Sequence, residues 1–174
     1  RRMETETRAV LARLVLPPGS HCLDVGCGAG DAMKLMAELV GPGGSVTGLD
    51  RNVTIEGARL EALRAASPAQ IDFIQDDVLT TTALVDNTFD LTFARLVLLH
   101  MSDPRTVISR MWRWTKPGGY LLLMDYDFVT QGAYPPVMAI NEYNRLIFDL
   151  FPATGRDVSI GRKLPTYIAE VCGG

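Results

Sequence analysis

Short apolar runs alternate with amphipathic stretches along most of the chain, and this pattern predicts strands and helices in turn. The runs expected to form strands lie at residues 23–25, 45–50, 71–78, 89–95 and 116–124. Apolar residues at helical spacing fall at 4–15, 31–40, 55–66, from 104 onward, and at 137–151. Repeated strand–helix units form a mainly parallel sheet with helices on both faces, so we expect an α/β fold.

The helix predicted from residue 104 onward has its own start signal. Asp103 suits the N-cap position and Pro104 suits the first helical position. We expect Trp112 and Trp114, later on this helix, to be packing residues.

Composition bounds the number of domains and the class of partner. With 174 residues and 47% hydrophobic content, the chain can bury one core and is most simply one domain. The net charge of -3 gives no broad attraction for phosphate backbones, so we expect no nucleic-acid partner. No apolar run reaches the roughly 18 residues of a membrane span, and residues 1–6 lack the apolar core of a signal peptide. We therefore expect a cytoplasmic protein.

The cysteines show no pairing pattern. Cys22, Cys27 and Cys172 are an odd number without a C-x-x-C pair, and only His21 and His100 could assist them as metal ligands. We expect free thiols and no structural metal.

The stretch LDVGCGAGD, residues 23–31, is the strongest candidate for a ligand site. Gly26, Gly28 and Gly30 allow positive φ and close approach of a ligand between a buried strand and a helix that begins near Asp31. The spacing G-x-G-x-G departs from the dinucleotide fingerprint G-x-G-x-x-G, which weakens a nicotinamide interpretation. A tight turn without a ligand is the alternative.

The second strand ends in Asp50, 20 positions beyond Gly30. A carboxylate at this place can accept hydrogen bonds from both hydroxyls of a ribose, which indicates an adenosine ligand without specifying its partner group. The alternative is that Asp50 caps a helix starting near Thr54.

Three further motifs follow at regular intervals. They are the acidic pair Asp76-Asp77, Phe89-Asp90 at the start of the fourth strand, and a P-G-G turn into the fifth. With the glycine turn and Asp50, this order across residues 20–125 resembles class I S-adenosylmethionine-dependent methyltransferases. The stretch LVLLHMSDP after strand four is similar to the small-molecule branch, which includes quinone-biosynthesis and natural-product enzymes. The resemblance implies a Rossmann-like, doubly wound sheet whose ligand crevice lies between strands one and four.

The resemblance also implies a role for individual residues around S-adenosylmethionine. It places the methionine moiety along the backbone of Gly26, Cys27, Gly28 and Gly30, with its amino group near Asp24. Asp50 would bind the ribose, and Arg51, Asp77 and the Val78 N–H would lie at the adenine. Ala94 and Arg95 would lie near the methionine and the acceptor. Asp76 is expected to be a solvated turn residue.

The acceptor side offers one candidate base. His100 lies just beyond strand four, and some methyl acceptors lose a proton during transfer. A structural histidine is the alternative, and Asp125, Tyr126 and Asp127 are rival candidates. Ala94-Arg-Leu-Val97 stands where enzymes that methylate nucleobase or glutamine amino groups carry N-P-P-[YF], which favours a small organic acceptor.

The C-terminal third matches the family pattern incompletely. The family sheet has seven strands, of which we predict five, and the chain lacks an initiator methionine, so we expect a truncated core without the C-terminal antiparallel hairpin. Residues 1–128 are expected to form the cofactor-binding core and residues 129–174 a helical cap of the same domain. The helix at 137–151 should end before Pro152. Four aromatic residues could line the cap or pack on the core: Tyr134, Tyr143, Phe148 and Phe151.

Three functions are compatible with these motifs. The first is methyl transfer from S-adenosylmethionine to a small organic acceptor, leaving S-adenosylhomocysteine. The second is a methyltransferase-like domain that binds the cofactor without catalysis. The third is a nicotinamide-dependent oxidoreductase, for which we find no matching nicotinamide-site residues.

Overall fold

A computed structural model describes residues 2–52 and 57–173. Its strands are β1 (His21–Val25), β2 (Ser45–Asp50), β3 (Gln70–Gln75), β4 (Phe89–Arg95) and β5 (Thr115–Met124). Its helices are α1 (Arg2–Leu11), α2 (Asp31–Val40), α3 (Ala58–Ala66), α4 (Pro104–Trp114), α5 (Met138–Ala153) and α6 (Ile160–Cys172), with 3-10 turns at Leu98–His100 and Phe128–Thr130. The predicted α/β alternation is confirmed.

The five described strands form one sheet in the order β3-β2-β1-β4-β5. The pairs β1/β2, β1/β4 and β2/β3 are parallel, with Asp24 opposite both Gly48 and Phe93. Strand order reverses at β1 and β4, the position predicted for a ligand crevice in a doubly wound sheet.

The chain forms two compact units. The first comprises the residues up to Ala94 together with Arg110–Leu122, and the second comprises Arg95–Ser109 and the residues from Leu123 onward. In the first unit, Met33 and Met36 of α2 and Leu23 and Phe93 of the sheet have no exposed surface. The apolar face of α2 thus forms part of the core, as its helical period predicts.

The acid of the Phe89-Asp90 motif has a structural role. Asp90 accepts a hydrogen bond from the His21 N–H over 2.8 Å and pairs with the Lys116 ammonium at 2.9 Å. It therefore joins the starts of three strands, β1, β4 and β5.

Several predicted boundaries are corrected. α1 ends at Leu11 and not at residue 15, because the chain tightens into i,i+3 turns such as that from Leu14 N–H to the Leu11 carbonyl. The P-G-G sequence lies inside β5 and not in a turn before it, because an edge strand tolerates a proline that cannot donate. The start predicted at Ile55 for the third helix lies outside the described residues. Helix α6 is a further element that the sequence analysis does not predict.

The start signal of α4 is confirmed, but one tryptophan is misplaced. Asp103 Oδ1 accepts a hydrogen bond from the Thr106 N–H over 3.1 Å, as an N-cap does. Trp114 is buried, whereas Trp112 is 44% exposed. Two residues of an α-helix span about 200°, so Trp112 and Trp114 lie on opposite faces of α4, one toward the core and one toward solvent.

The aromatic helix ends later than predicted. α5 runs through Pro152 to Ala153, and none of its residues is fully buried, although the ring of Phe151 lies 6.2 Å from that of Phe128. Tyr143 and Phe148 are 47% and 38% exposed. Pro152 lies in the last turn of α5, so only Ala153 follows it in the helix.

Candidate functional site

The glycine turn after β1 has the backbone that the sequence predicts. The φ angles of Gly26, Gly28 and Gly30 are 67°, 51° and 81°, in the left-handed region that favours glycine. A Cβ placed on Gly28 would meet no atom within 4 Å. The turn therefore offers open space directly above its backbone, which suits a ligand that lies along it.

Asp50, at the end of β2, holds this turn in place. Its Oδ2 accepts a hydrogen bond from the Gly28 N–H over 2.9 Å, and its Oδ1 accepts one from the Asn52 N–H over 2.9 Å. The alternative role of Asp50, as the cap of a helix starting near Thr54, falls on residues outside those described. The structure thus joins the glycine turn and the acid of the second strand, which lie far apart in sequence.

Asp24 and Cys27 complete the buried side of this site. Asp24 is 2% exposed on β1, and Cys27 is 7% exposed within the turn. A Cβ on Gly48 of β2 would approach Cys27 Sγ to 2.7 Å and Met33 Sδ to 2.6 Å. Gly48 is a site residue that sequence reasoning missed, since a glycine inside an apolar strand carries no motif.

The buried thiols should be chemically inert in the native chain. Burial raises the pKa of Cys22 to about 12, and burial followed by the carboxylates of Asp24 and Asp50 raises the pKa of Cys27 above its usual range. At about pH 8 we expect Ellman's reagent to modify only Cys172 rapidly, because this residue is half-buried and accessible, although burial raises its pKa as well. All three thiols should react in guanidinium. A rapid native phase that persists in Cys172→Ser would contradict this prediction.

The loop that follows β3 is ordered by its own side chains. Asp76 Oδ1 accepts a hydrogen bond from the Asp77 N–H over 2.8 Å, and Asp77 Oδ1 accepts one from the Leu79 N–H over 2.8 Å. The Thr81 hydroxyl, followed by the Asp77 N–H, lowers the pKa of the Asp76 carboxyl. Asp76 therefore differs from the solvated turn residue predicted, because its carboxylate also bonds to the backbone N–H of Asp77.

Helix α4 supports the same loop from outside the motifs. The Arg110 guanidinium donates to the Thr81 carbonyl and lies 5.1 Å from the centre of the Trp114 ring. Thr81 is 4% exposed. Neither Arg110 nor Thr81 lies in a sequence motif, and only their spatial neighbours reveal their role. Arg51, predicted to lie beside the adenine, is exposed.

Arg95 and His100 belong to the second unit. Arg95 ends β4 and is half-buried, while Ala94, one residue earlier, is 2% exposed in the first unit. His100 closes the 3-10 turn and is exposed, with its ring centre 6.4 Å from that of Phe151.

Asp125, directly after β5, is an ionisable group of this unit whose carboxyl is partly buried. Its Oδ2 accepts a hydrogen bond from the Leu99 N–H over 3.1 Å, and its Oδ1 accepts one from the Tyr126 N–H over 2.9 Å. Burial outweighs these donors and raises the pKa of Asp125 to about 6.

This shift predicts an unusual pH dependence of stability. Because the pKa of Asp125 is higher in the folded chain than the unfolded value of 3.8, the native state holds the proton more tightly, and its free energy of unfolding should fall as pH rises from 3.8 to about 6. Urea unfolding of wild type and Asp125→Asn across this range should show the wild-type advantage shrinking with pH. Parallel profiles would contradict the prediction.

Asp103→Asn is the control, because the carboxyl of Asp103 should change the free energy of unfolding with pH in the opposite direction to that of Asp125. The Thr106 hydroxyl and N–H lower the pKa of Asp103, so its contribution to stability should be present above pH 3.8 and lost as pH falls below it.

Comparison with known proteins adds independent findings. A family model described as "Methyltransferase domain" matches residues 16–160. Phosphoethanolamine N-methyltransferase 1 of Arabidopsis thaliana is 34% identical over 120 residues, which are 69% of this chain and 24% of that enzyme. The ubiquinone/menaquinone biosynthesis C-methyltransferase of Hydrogenovibrio crunogenus is 29% identical over 155 residues, which are 88% of this chain and 58% of that enzyme. The chain thus spans less than two thirds of either relative.

A solved structure shares the fold. Phosphoethanolamine N-methyltransferase 2 of Haemonchus contortus, in complex with phosphomonomethylethanolamine and S-adenosylhomocysteine, superposes with a TM-score of 0.72 at 23% identity. The match covers 96% of this chain and 36% of that one.

Within the described residues, no helix is both long enough and apolar enough to cross a membrane.

Proposed function

This chain belongs to the methyltransferase-domain family, and from that premise we propose that it binds S-adenosylmethionine and transfers the methyl group to a small organic acceptor. Family membership confirms the resemblance derived from the motifs and argues against the nicotinamide alternative. The observation that carries the proposal is the contact of Asp50 with the Gly28 N–H, 2.9 Å, in an open glycine turn. That contact brings a ribose-binding acid and a ligand-binding backbone into one site.

The proposed cofactor contacts follow the sequence prediction. The methionine moiety lies along Gly26, Cys27, Gly28 and Gly30, with its amino group at Asp24. Asp50 binds the ribose, and Arg51, Asp77 and Val78 bind the adenine. Ala94 and Arg95 lie next to the methionine and the acceptor. Support comes from the positive φ angles of the turn and from the ordered backbone of the loop after β3.

S-Adenosylmethionine supplies a methyl carbon activated by a sulfonium, and transfer leaves S-adenosylhomocysteine. A lone pair of the acceptor forms the new bond to carbon while the carbon–sulfur bond breaks and its electron pair goes to sulfur. The chain mainly aligns the two reactants, an effect that can contribute roughly 7–11 kcal/mol. Where the acceptor must lose a proton, the exposed imidazole of His100 takes it.

The acceptor is proposed to be a small molecule in the cytoplasm, without nucleic acid as partner. The two relatives named above are called phosphoethanolamine and quinone-biosynthesis methyltransferases, and both names denote small acceptors. The net charge of -3 also disfavours a polyanion. We assign cofactor binding to residues 1–128 and the acceptor cap to residues 129–174.

Calorimetric titration with S-adenosylhomocysteine tests this function, with NADH as a parallel titrant. We expect a Kd of about 10 μM, which corresponds to about 7 kcal/mol, and no heat from NADH. Binding of NADH alone would contradict the proposal. Binding without turnover of any amine, phenol or quinol in an S-adenosylhomocysteine release assay would favour the non-catalytic alternative.

A further inference from the structure

The turn that carries His100 is attached to the residues at the end of β5. The Leu96 N–H donates to the Met124 carbonyl over 2.8 Å, and the Leu99 N–H donates to Asp125 Oδ2 over 3.1 Å. Leu96 has a φ of 58°, a strained value for a residue with a branched side chain. The chain therefore leaves β4 through a constrained bend that these two hydrogen bonds hold.

Asp125 is the main anchor of this turn. The backbone N–H groups of Leu98 and Val97 also favour its charged form and so lower its pKa. The His100 N–H in turn donates to the Val97 carbonyl over 2.9 Å, so the backbone of His100 is coupled to the segment that Asp125 binds. Removal of the carboxylate would leave the N–H of the buried Leu99 without its acceptor.

The backbone of Asp125 is itself held firmly within the same unit. The Gly161 N–H of α6 donates to the Tyr126 carbonyl over 3.0 Å. A Cβ on Gly161 would lie 2.8 Å from the Asp125 carbonyl oxygen, so α6 is in close contact with this segment. A residue fixed by a helix and bonded to a turn is suited to orient what that turn carries.

We propose that Asp125 is a positioning residue for His100, whose imidazole it orients by binding the N–H groups of the preceding turn. The inference rests on the proposed function, in which His100 takes the proton of the acceptor. Asp125 is half-buried whereas His100 is exposed, so the proton is assigned to His100 and not to Asp125.

The chain contains two histidines, so the ring carbon–proton signals of His100 can be followed by NMR with those of His21 as an internal reference. In Asp125→Asn we expect the His100 ring signals to move toward those of free histidine, as the ring leaves Phe151, while the His21 signals stay in place. Amide exchange at Leu99 should accelerate by about 10-fold or more.

The matched control is Asp103→Asn, which removes the same charge three residues after His100 but does not touch the turn. Asp103 bonds to the Thr106 N–H and hydroxyl instead. The inference is overturned if the His100 signals are unmoved in folded Asp125→Asn, or if Asp103→Asn moves them equally. Should Asp125→Asn fail to fold, exchange of the Leu99 amide in wild type decides: protection of about 10-fold or more supports the contact, and its absence refutes it.

Titration with S-adenosylhomocysteine separates this inference from the proposed function. We expect the affinity of Asp125→Asn to stay within about threefold of wild type, because none of the proposed cofactor contacts is altered. A wild-type chain that fails to bind contradicts the proposed function. Unmoved His100 signals in a chain that binds contradict the positioning role alone.

Discussion

Replacement of Asp50 by alanine is expected to weaken binding of S-adenosylhomocysteine by about 100-fold or more, or about 2.7 kcal/mol. The carboxylate has two duties: it accepts the N–H groups of Gly28 and Asn52, and we propose that it also binds the ribose. Hydrogen bonds to a charged group contribute about 1.5–3 kcal/mol each, so losing the ribose contacts while loosening the glycine turn accounts for an effect of this size. Calorimetric titration measures it.

Asp72→Ala is the matched control for this experiment. Asp72 lies on β3, and its carboxylate accepts a hydrogen bond from the Gln70 side chain over 2.7 Å, away from the glycine turn. The charge change equals that of Asp50→Ala, yet affinity should match wild type. If Asp50→Ala retains its affinity within about threefold while remaining folded, the ribose assignment is wrong.

Gly161→Ala is expected to destabilise the chain by about 2–3 kcal/mol. The added methyl group would lie 2.8 Å from the Asp125 carbonyl oxygen and from the Tyr126 carbonyl group, and backbone atoms cannot move aside as a flexible side chain can. The first turn of α6 would have to shift and strain the 3.0 Å hydrogen bond from the Gly161 N–H to the Tyr126 carbonyl. Thermal unfolding should show a decrease in Tm of roughly 5–10 °C.

Gly132→Ala provides the comparison within the same unit. A Cβ on Gly132 would meet no atom within 4 Å, so the same chemical change should leave Tm within about 2 °C of wild type. Equal losses in the two variants would show that close packing at Gly161 is not the cause.

Local patterns were enough to predict the strands and the ligand turn. Buried parallel strands appear as short apolar runs, and left-handed turns require glycine, so β2, β4 and the φ angles of Gly26, Gly28 and Gly30 agree with prediction. Helix ends were less well predicted, because α5 continues through Pro152 and α1 stops at Leu11. A residue that tends to end a helix acts only on the backbone of its own turn, and tertiary contacts at that turn also decide where the helix ends.

The sequence by itself determined the α/β class, the order of the motifs and which carboxylates follow the strands. These features depend on apolar periodicity and on single residue types within short stretches of chain. Only the tertiary structure decided which groups meet. It joined Asp50 to the Gly28 N–H and Asp125 to the Leu99 N–H, contacts between residues 22 and 26 positions apart. Such contacts depend on strand order and on the path of the chain between strands, which no local pattern encodes.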